Sequence, residues 1–141
     1  MKNLLLLLGI VSLAGFVFFR GGSDSNGVRN HDRITTISSG ESVNFEDHFG
    51  DDWTVFEFGA DWLAACRQLG PQLEALVVKL DDVRLCKINI KSWGSDVARQ
   101  HSIKSIPQLV LYDGTTLVAQ GTREVLLQLA AKTVLPLLLA E

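Results

Sequence analysis

The stretch from Trp53 to Pro71, WTVFEFGADWLAACRQLGP, constrains this chain most. Thr54 to Phe58 is short, apolar and β-prone, with one carboxylate, Glu57, at its centre. Gly59, Ala60 and Asp61 supply a turn. From Trp62 onward, Trp62, Cys66, Leu69, Leu73, Leu76 and Leu80 recur every three or four positions, the period of a helix. Cys66 then stands about one turn inside a helix that follows a central strand. A helix N-terminus favours a thiolate, so a redox thiol would be placed here.

The rest of the chain supplies a sheet. Ile34 to Val43 alternates and is expected as an edge strand, and Phe45 to Phe49 as one short helical turn. Val83 to Ile90 reads as a strand with Leu85, Lys87 and Asn89 on one face and Cys86, Ile88 and Ile90 on the other. Ser95 can cap a short helix from Asp96 to His101. Ser105-Ile106-Pro107 leads into a strand from Leu109 to Tyr112, and Asp113-Gly114 turns it back through Leu117 to Ala119. Arg123 to Val134 is expected as an amphipathic helix with Val125, Leu126, Leu129 and Ala130 inward. Pro136 should break it and leave Leu137 to Leu139 as an apolar tail. The order from Trp53, β-α-β-α-β-β-α, implies a mixed sheet with helices on both faces.

Charge excludes some functions. Without Lys2 and Arg20, 11 of the 13 basic residues face 16 acidic ones, a net charge near −5. That argues against a nucleic-acid surface. The two cysteines, Cys66 and Cys86, make no disulfide framework, and Cys86 reads as a small buried hydrophobe. His31, His48 and His101 are scattered and expected at the surface. With no Cys/His cluster at metal spacing, neither a metal nor a cofactor is expected.

Residues 1–20 read as a signal anchor or signal peptide. Lys2 precedes Leu4 to Phe19, an uncharged run of 16 residues. As a helix this spans about 24 Å, short of the roughly 30 Å hydrocarbon core. Ser12-Leu13-Ala14 offers small residues at the spacing of a cleavage site, but cleavage would expose Gly15 to Phe19. An uncleaved anchor is the preferred expectation, with the following domain outside the cytoplasm, or secreted if the signal is cleaved. Residues 21–33 are Gly/Ser/Asn/Asp-rich, a flexible linker, and 34–141 form the domain.

Ala60-Asp61-Trp62, two small residues, Cys66, and Pro71 five residues later, together with Ser105-Ile106-Pro107, resemble the active-site framework of the thioredoxin family. The similarity runs from about Trp53 to Leu129. It implies a thioredoxin-like three-layer α/β/α fold with a mixed central sheet, and a helix that runs kinked through Pro71. In that family the tryptophan is followed by Cys-x-x-Cys. Here the tetrapeptide is Leu63-Ala64-Ala65-Cys66, so the attacking cysteine is replaced and the resolving one kept.

The resemblance assigns roles accordingly. Cys66 is the resolving-type thiol. Glu57 and Lys87 lie together beneath it, with Glu57 assisting proton transfer and its pKa raised by burial and partly offset by Lys87. A structural ion pair is the alternative for these two. Pro107 matches the family's cis-proline. Trp62, Leu63, Ile106 and Pro107 would form an apolar surface for an extended peptide. Trp62 and Trp93 packing on the domain is the bland alternative. The expectation is a protein of thiol-disulfide redox homeostasis with impaired dithiol activity, acting on protein or peptide substrates and allowing a redox partner. The competing reading is a non-catalytic module that binds peptides or proteins through the Trp62/Pro107 surface.

Overall fold

The computed structural model describes residues 32–140. The expected anchor, residues 1–20, and nearly all of the linker lie outside the described residues, as does His31. The strands are β1 (Ile34–Ser39), β2 (Trp53–Gly59), β3 (Val83–Asn89), β4 (Gln108–Asp113) and β5 (Thr116–Gln120). The helices are α1 (Ala64–Val78), α2 (Asp96–Gln100) and α3 (Thr122–Leu139), with a 3-10 turn at Phe45–His48.

The strands form one sheet in the order β1-β3-β2-β4-β5. β1 and β2 run parallel to β3, β4 runs antiparallel to β2, and β5 antiparallel to β4. β2 is central, which explains why it is buried on both faces. Thr54 to Phe58 are all buried, and Glu57 pairs across to Lys87 on one side and Leu109 on the other.

Alternation along the strands separates two cores. Val55, Leu85, Leu109 and Leu111 pack with Leu73 and Val77 of α1 and Val125 and Leu129 of α3. Phe56, Phe58, Cys86 and Ile88 face the other layer, with Val97 and Ala98 of α2. Phe45 of the 3-10 turn stacks on Phe56 at 4.0 Å and on His101 at 4.6 Å. This is the expected three-layer arrangement.

Three local expectations are corrected. α1 begins at Ala64, not at Trp62. Leu63 is extended (φ −97°, ψ 125°), and its amide bonds back to Ala60 O at 3.2 Å, so the turn runs two residues longer than the apolar spacing suggests. Pro136 lies inside α3, and Leu137 to Leu139 are helical rather than a separate tail. Proline removes one backbone bond, but its fixed φ is helical, and an exposed last turn tolerates the loss. His101 is half-buried, because its ring stacks on Phe45 and its Nε2 lies 3.0 Å from Val43 O. α1 runs through Pro71 unbroken. Among the described residues, no helix is long and apolar enough to cross a membrane.

Candidate active site

The site is built where β2 ends. The Ile90 amide bonds to Gly59 O at 2.9 Å and ties the ends of β2 and β3 together. The turn at Ala60 to Leu63 then delivers Cys66 to the third position of α1. Leu63 sits at the N-cap, where a side-chain oxygen usually accepts a bond from the helix, and it makes no such bond. Cys66 packs in one cluster with Ala60 and Ile106, and Leu63 lies half-buried against it. A Cβ at Gly59 would lie 3.5 Å from Cys66 Sγ, so the sulfur rests against the end of the central strand.

Cys66 is only 8% exposed, and burial pushes its thiol above the usual range. A hydrogen bond from the Ala60 backbone pulls the other way, while the charges of Glu57 and Asp61 add to the rise. The net direction is upward, opposite to the lowering expected from a helix N-terminus. Cys86 is mid-strand and 1% exposed; burial raises its thiol to about 11, with Arg84 opposing. Both cysteines are free.

Beneath Cys66 the structure places Glu57 and Lys87 side by side on β2 and β3. Lys87 Nζ, however, pairs with Glu74 Oε1 of α1 at 2.5 Å. Glu57 is 5% exposed, and its Oε2 has no hydrogen-bond partner. Burial raises the Glu57 pKa, with Lys87 opposing and Glu74 adding to the rise, the direction expected from the sequence. Burial pulls the Lys87 ammonium down, but Glu74, Glu57 and Asp61 outweigh it and its pKa is raised.

Glu74 and Gly70 are the residues that sequence reasoning missed. Cys66, Gly70 and Glu74 are spaced by four and share one face of α1, which was the available signal. A Cβ at Gly70 would lie 3.9 Å from Glu57 Oε1 and 4.0 Å from Lys87 Nζ. Gly70 also lines a cavity of about 420 Å³ that touches Cys66, Glu57, Glu74, Lys87 and Asn89.

The Ile106–Pro107 peptide is cis. Thr122 Oγ1 donates to Pro107 O at 2.9 Å and fixes the loop to the start of α3. Ile106 is buried with Cys66 rather than displayed, whereas Pro107 is half-exposed. Trp62 is 49% exposed; its indole N–H donates to Lys91 O at 2.9 Å, and its ring meets Trp93 edge-on at 5.8 Å. Asn89 Nδ2 donates to Asp61 Oδ2 at 3.0 Å and braces the same turn. Among the described residues, no group of three or more His, Cys, Asp or Glu is arranged to hold a metal.

A sheet of this order, with a thiol heading the helix after its central strand and a cis-proline in the loop before β4, defines the thioredoxin-like class. The family model for thioredoxin matches residues 36–131, and the chain belongs to the thioredoxin family. It is 38% identical over 69 residues to a thioredoxin of Chlamydia trachomatis, covering 49% of this chain and 67% of that one. It is 35% identical over 79 residues to a thioredoxin of Chlamydia pneumoniae, covering 56% and 76%. The fold is similar to that of spinach chloroplast thioredoxin f in its short form, with a TM-score of 0.57 at 18% identity, covering 70% of this chain and 92% of that one. Mitochondrial thioredoxin 3 of Saccharomyces cerevisiae in its oxidised form gives 0.53 at 22% identity, covering 74% and 97%.

Proposed function

We propose that this thioredoxin-family protein serves thiol-disulfide redox homeostasis with its two-thiol exchange impaired. The observation that carries the reading is Leu63, an apolar N-cap residue three positions before Cys66, where the first thiol of a Cys-x-x-Cys pair would stand. Disulfide reduction by a dithiol needs one thiolate to attack and a second to resolve the mixed disulfide. Cys66 can perform the first step alone. Its thiolate attacks one sulfur of a protein or peptide disulfide, the S–S bond breaks, and the other sulfur leaves as a thiolate. Glu57 takes the thiol proton, and the unpartnered Oε2 supports that role. No neighbouring thiol then releases the product, because Cys86 is buried in mid-strand.

Leu63→Cys tests this. The variant is expected to reduce insulin disulfides at least about tenfold faster than the parent, since it restores the resolving pair. A parent already as fast as the variant would overturn the reading.

A second reading is favoured by one observation, the paired Trp62 and Trp93, each 49% exposed. On it the Trp62/Pro107 surface binds extended peptides without redox chemistry, and peptides lacking cysteine would bind as well as those containing it. On either reading we place residues 4–19 in a membrane, with the domain on the extracytoplasmic side.

A further inference from the structure

Beyond its first turn, α3 takes no part in the site. The helix starts beside Pro107, where Thr122 bonds to the Pro107 carbonyl. Val125 and Leu129 bury against the sheet. Lys132 then marks the far end: its Nζ pairs with Asp82 Oδ2 at 2.6 Å and lies 4.3 Å from the centroid of the Trp53 ring. Trp53 and Val83 pair at the start of β2 and β3, so this end of the sheet is opposite Cys66. α3 continues from there to Leu139, about 10 Å further at the rise of a helix.

Among the described residues that overhang is apolar and uncovered. Val134, Leu135, Leu137, Leu138 and Leu139 are 47%, 56%, 69%, 68% and 77% exposed. Thr133 to Ala140 contains no charged side chain. A contiguous apolar patch of this kind marks a contact surface.

The amino-terminal part of the chain arrives at the same end. Ile34 pairs with Leu85, the Leu85 amide donates to Arg33 O at 2.7 Å, and the Arg33 guanidinium donates to the carbonyls of Leu80 and Val83. Thirteen residues, 20–32, separate Arg33 from the apolar run that ends at Phe19. Fully extended, 13 residues span at most about 45 Å, so an anchored chain keeps the overhang at high effective concentration near the bilayer.

We propose that the overhang of α3, Val134 to Ala140, docks into the lipid bilayer that residues 4–19 enter, and so holds the Cys66 end of the domain away from the membrane. The inference rests on reading residues 4–19 as a membrane anchor. The occupant is lipid because Val134 to Ala140 offer area without charge, the nearest ionisable residues in sequence being Lys132 and Glu141 on either side of them. Asp51, Asp52, Asp81 and Asp82 offset Arg33, Arg84 and Lys132 at this end, so no net positive charge draws it to anionic headgroups. The contact is therefore expected to persist at high salt.

The test uses the full chain reconstituted into phosphatidylcholine vesicles, with Leu138→Cys carrying an environment-sensitive fluorophore. Cys66 and Cys86 are buried and label slowly, and peptide mapping checks the site of labelling. Ser92→Cys, beside Trp93 at the opposite end, is the control. The probe at 138 is expected to shift to the blue and to be quenched at least about twofold by nitroxide-bearing acyl chains. The probe at 92 should stay in water and unquenched. Leu139→Cys should repeat the result at 138. A blue-shifted but unquenched probe means that protein covers the overhang, and overturns the proposal. So does a probe at 138 as solvated as that at 92. Flotation of the same sample separates the two readings. A chain that floats while its 138 probe stays unquenched keeps the anchor and loses the docking; a chain that does not float loses both.

Discussion

Glu57→Leu should make this protein more stable at neutral pH, although it removes a charge from the centre of the proposed site. Glu57 is buried in the central strand, and one of its oxygens has no partner. A buried polar atom left unsatisfied costs about 1–3 kcal/mol. Removing one member of a buried ion pair usually destabilises by orphaning the other. Here Lys87 keeps Glu74 as its partner, so nothing is orphaned. Leucine is similar in volume, and the cavity that Glu57 lines beside Gly70 leaves room for its methyl groups. The expected gain is about 1–3 kcal/mol at pH 7–8, or about 4–12 °C in Tm for a domain of this size.

The pH dependence separates the charge from the packing. The folded pKa of Glu57 is raised above its value in the unfolded chain. Well below the ordinary carboxylate range both states hold the proton, and Glu57 contributes no pH dependence. As pH rises through the unfolded value, the unfolded chain releases the proton while the folded chain keeps it, so the fold loses stability. The loss is complete once pH passes the raised folded value. Urea denaturation of parent and variant between pH 4 and pH 8 reads this directly. The advantage of the leucine variant should widen across that window and then level off. An advantage that is the same at both ends, or a variant less stable than the parent at pH 8, would refute the reasoning.

Gly70→Ala should add about 0.5–1 kcal/mol, the usual gain from replacing a mid-helix glycine, because the added carbon makes only ordinary contacts at 3.9 and 4.0 Å. Chemical denaturation checks this, and a loss of stability would show that the cavity beside Glu57 serves the fold. Iodoacetamide at pH 7–8 should alkylate native Cys66 at least about tenfold more slowly than the unfolded chain, and faster as pH rises, because burial holds its thiol high. Native Cys86, with a pKa of about 11, should react only on unfolding, as mass spectrometry of the two peptides would show.

What the sequence made legible was local. The central strand, the hairpin at Asp113-Gly114 and the cysteine at the head of a helix each follow from patterns a few residues long. The thioredoxin order followed from stringing those patterns together. What stayed hidden depends on which side chains meet across elements. Glu57 and Lys87 are neighbours in register, and pairing them was the natural expectation. A lysine with two carboxylates in reach settles on the one it can join while staying partly in water. Glu74 and Lys87 are both about one-third exposed, whereas Glu57 is buried. Joining Glu57 directly would draw the ammonium further from solvent, where desolvation costs more than the contact returns. Glu74 thus holds the cation at the rim and leaves the inner carboxyl its raised pKa. The result is a buried carboxyl and a buried thiol on one cavity wall, with the cation held at the rim between Glu57 and Glu74.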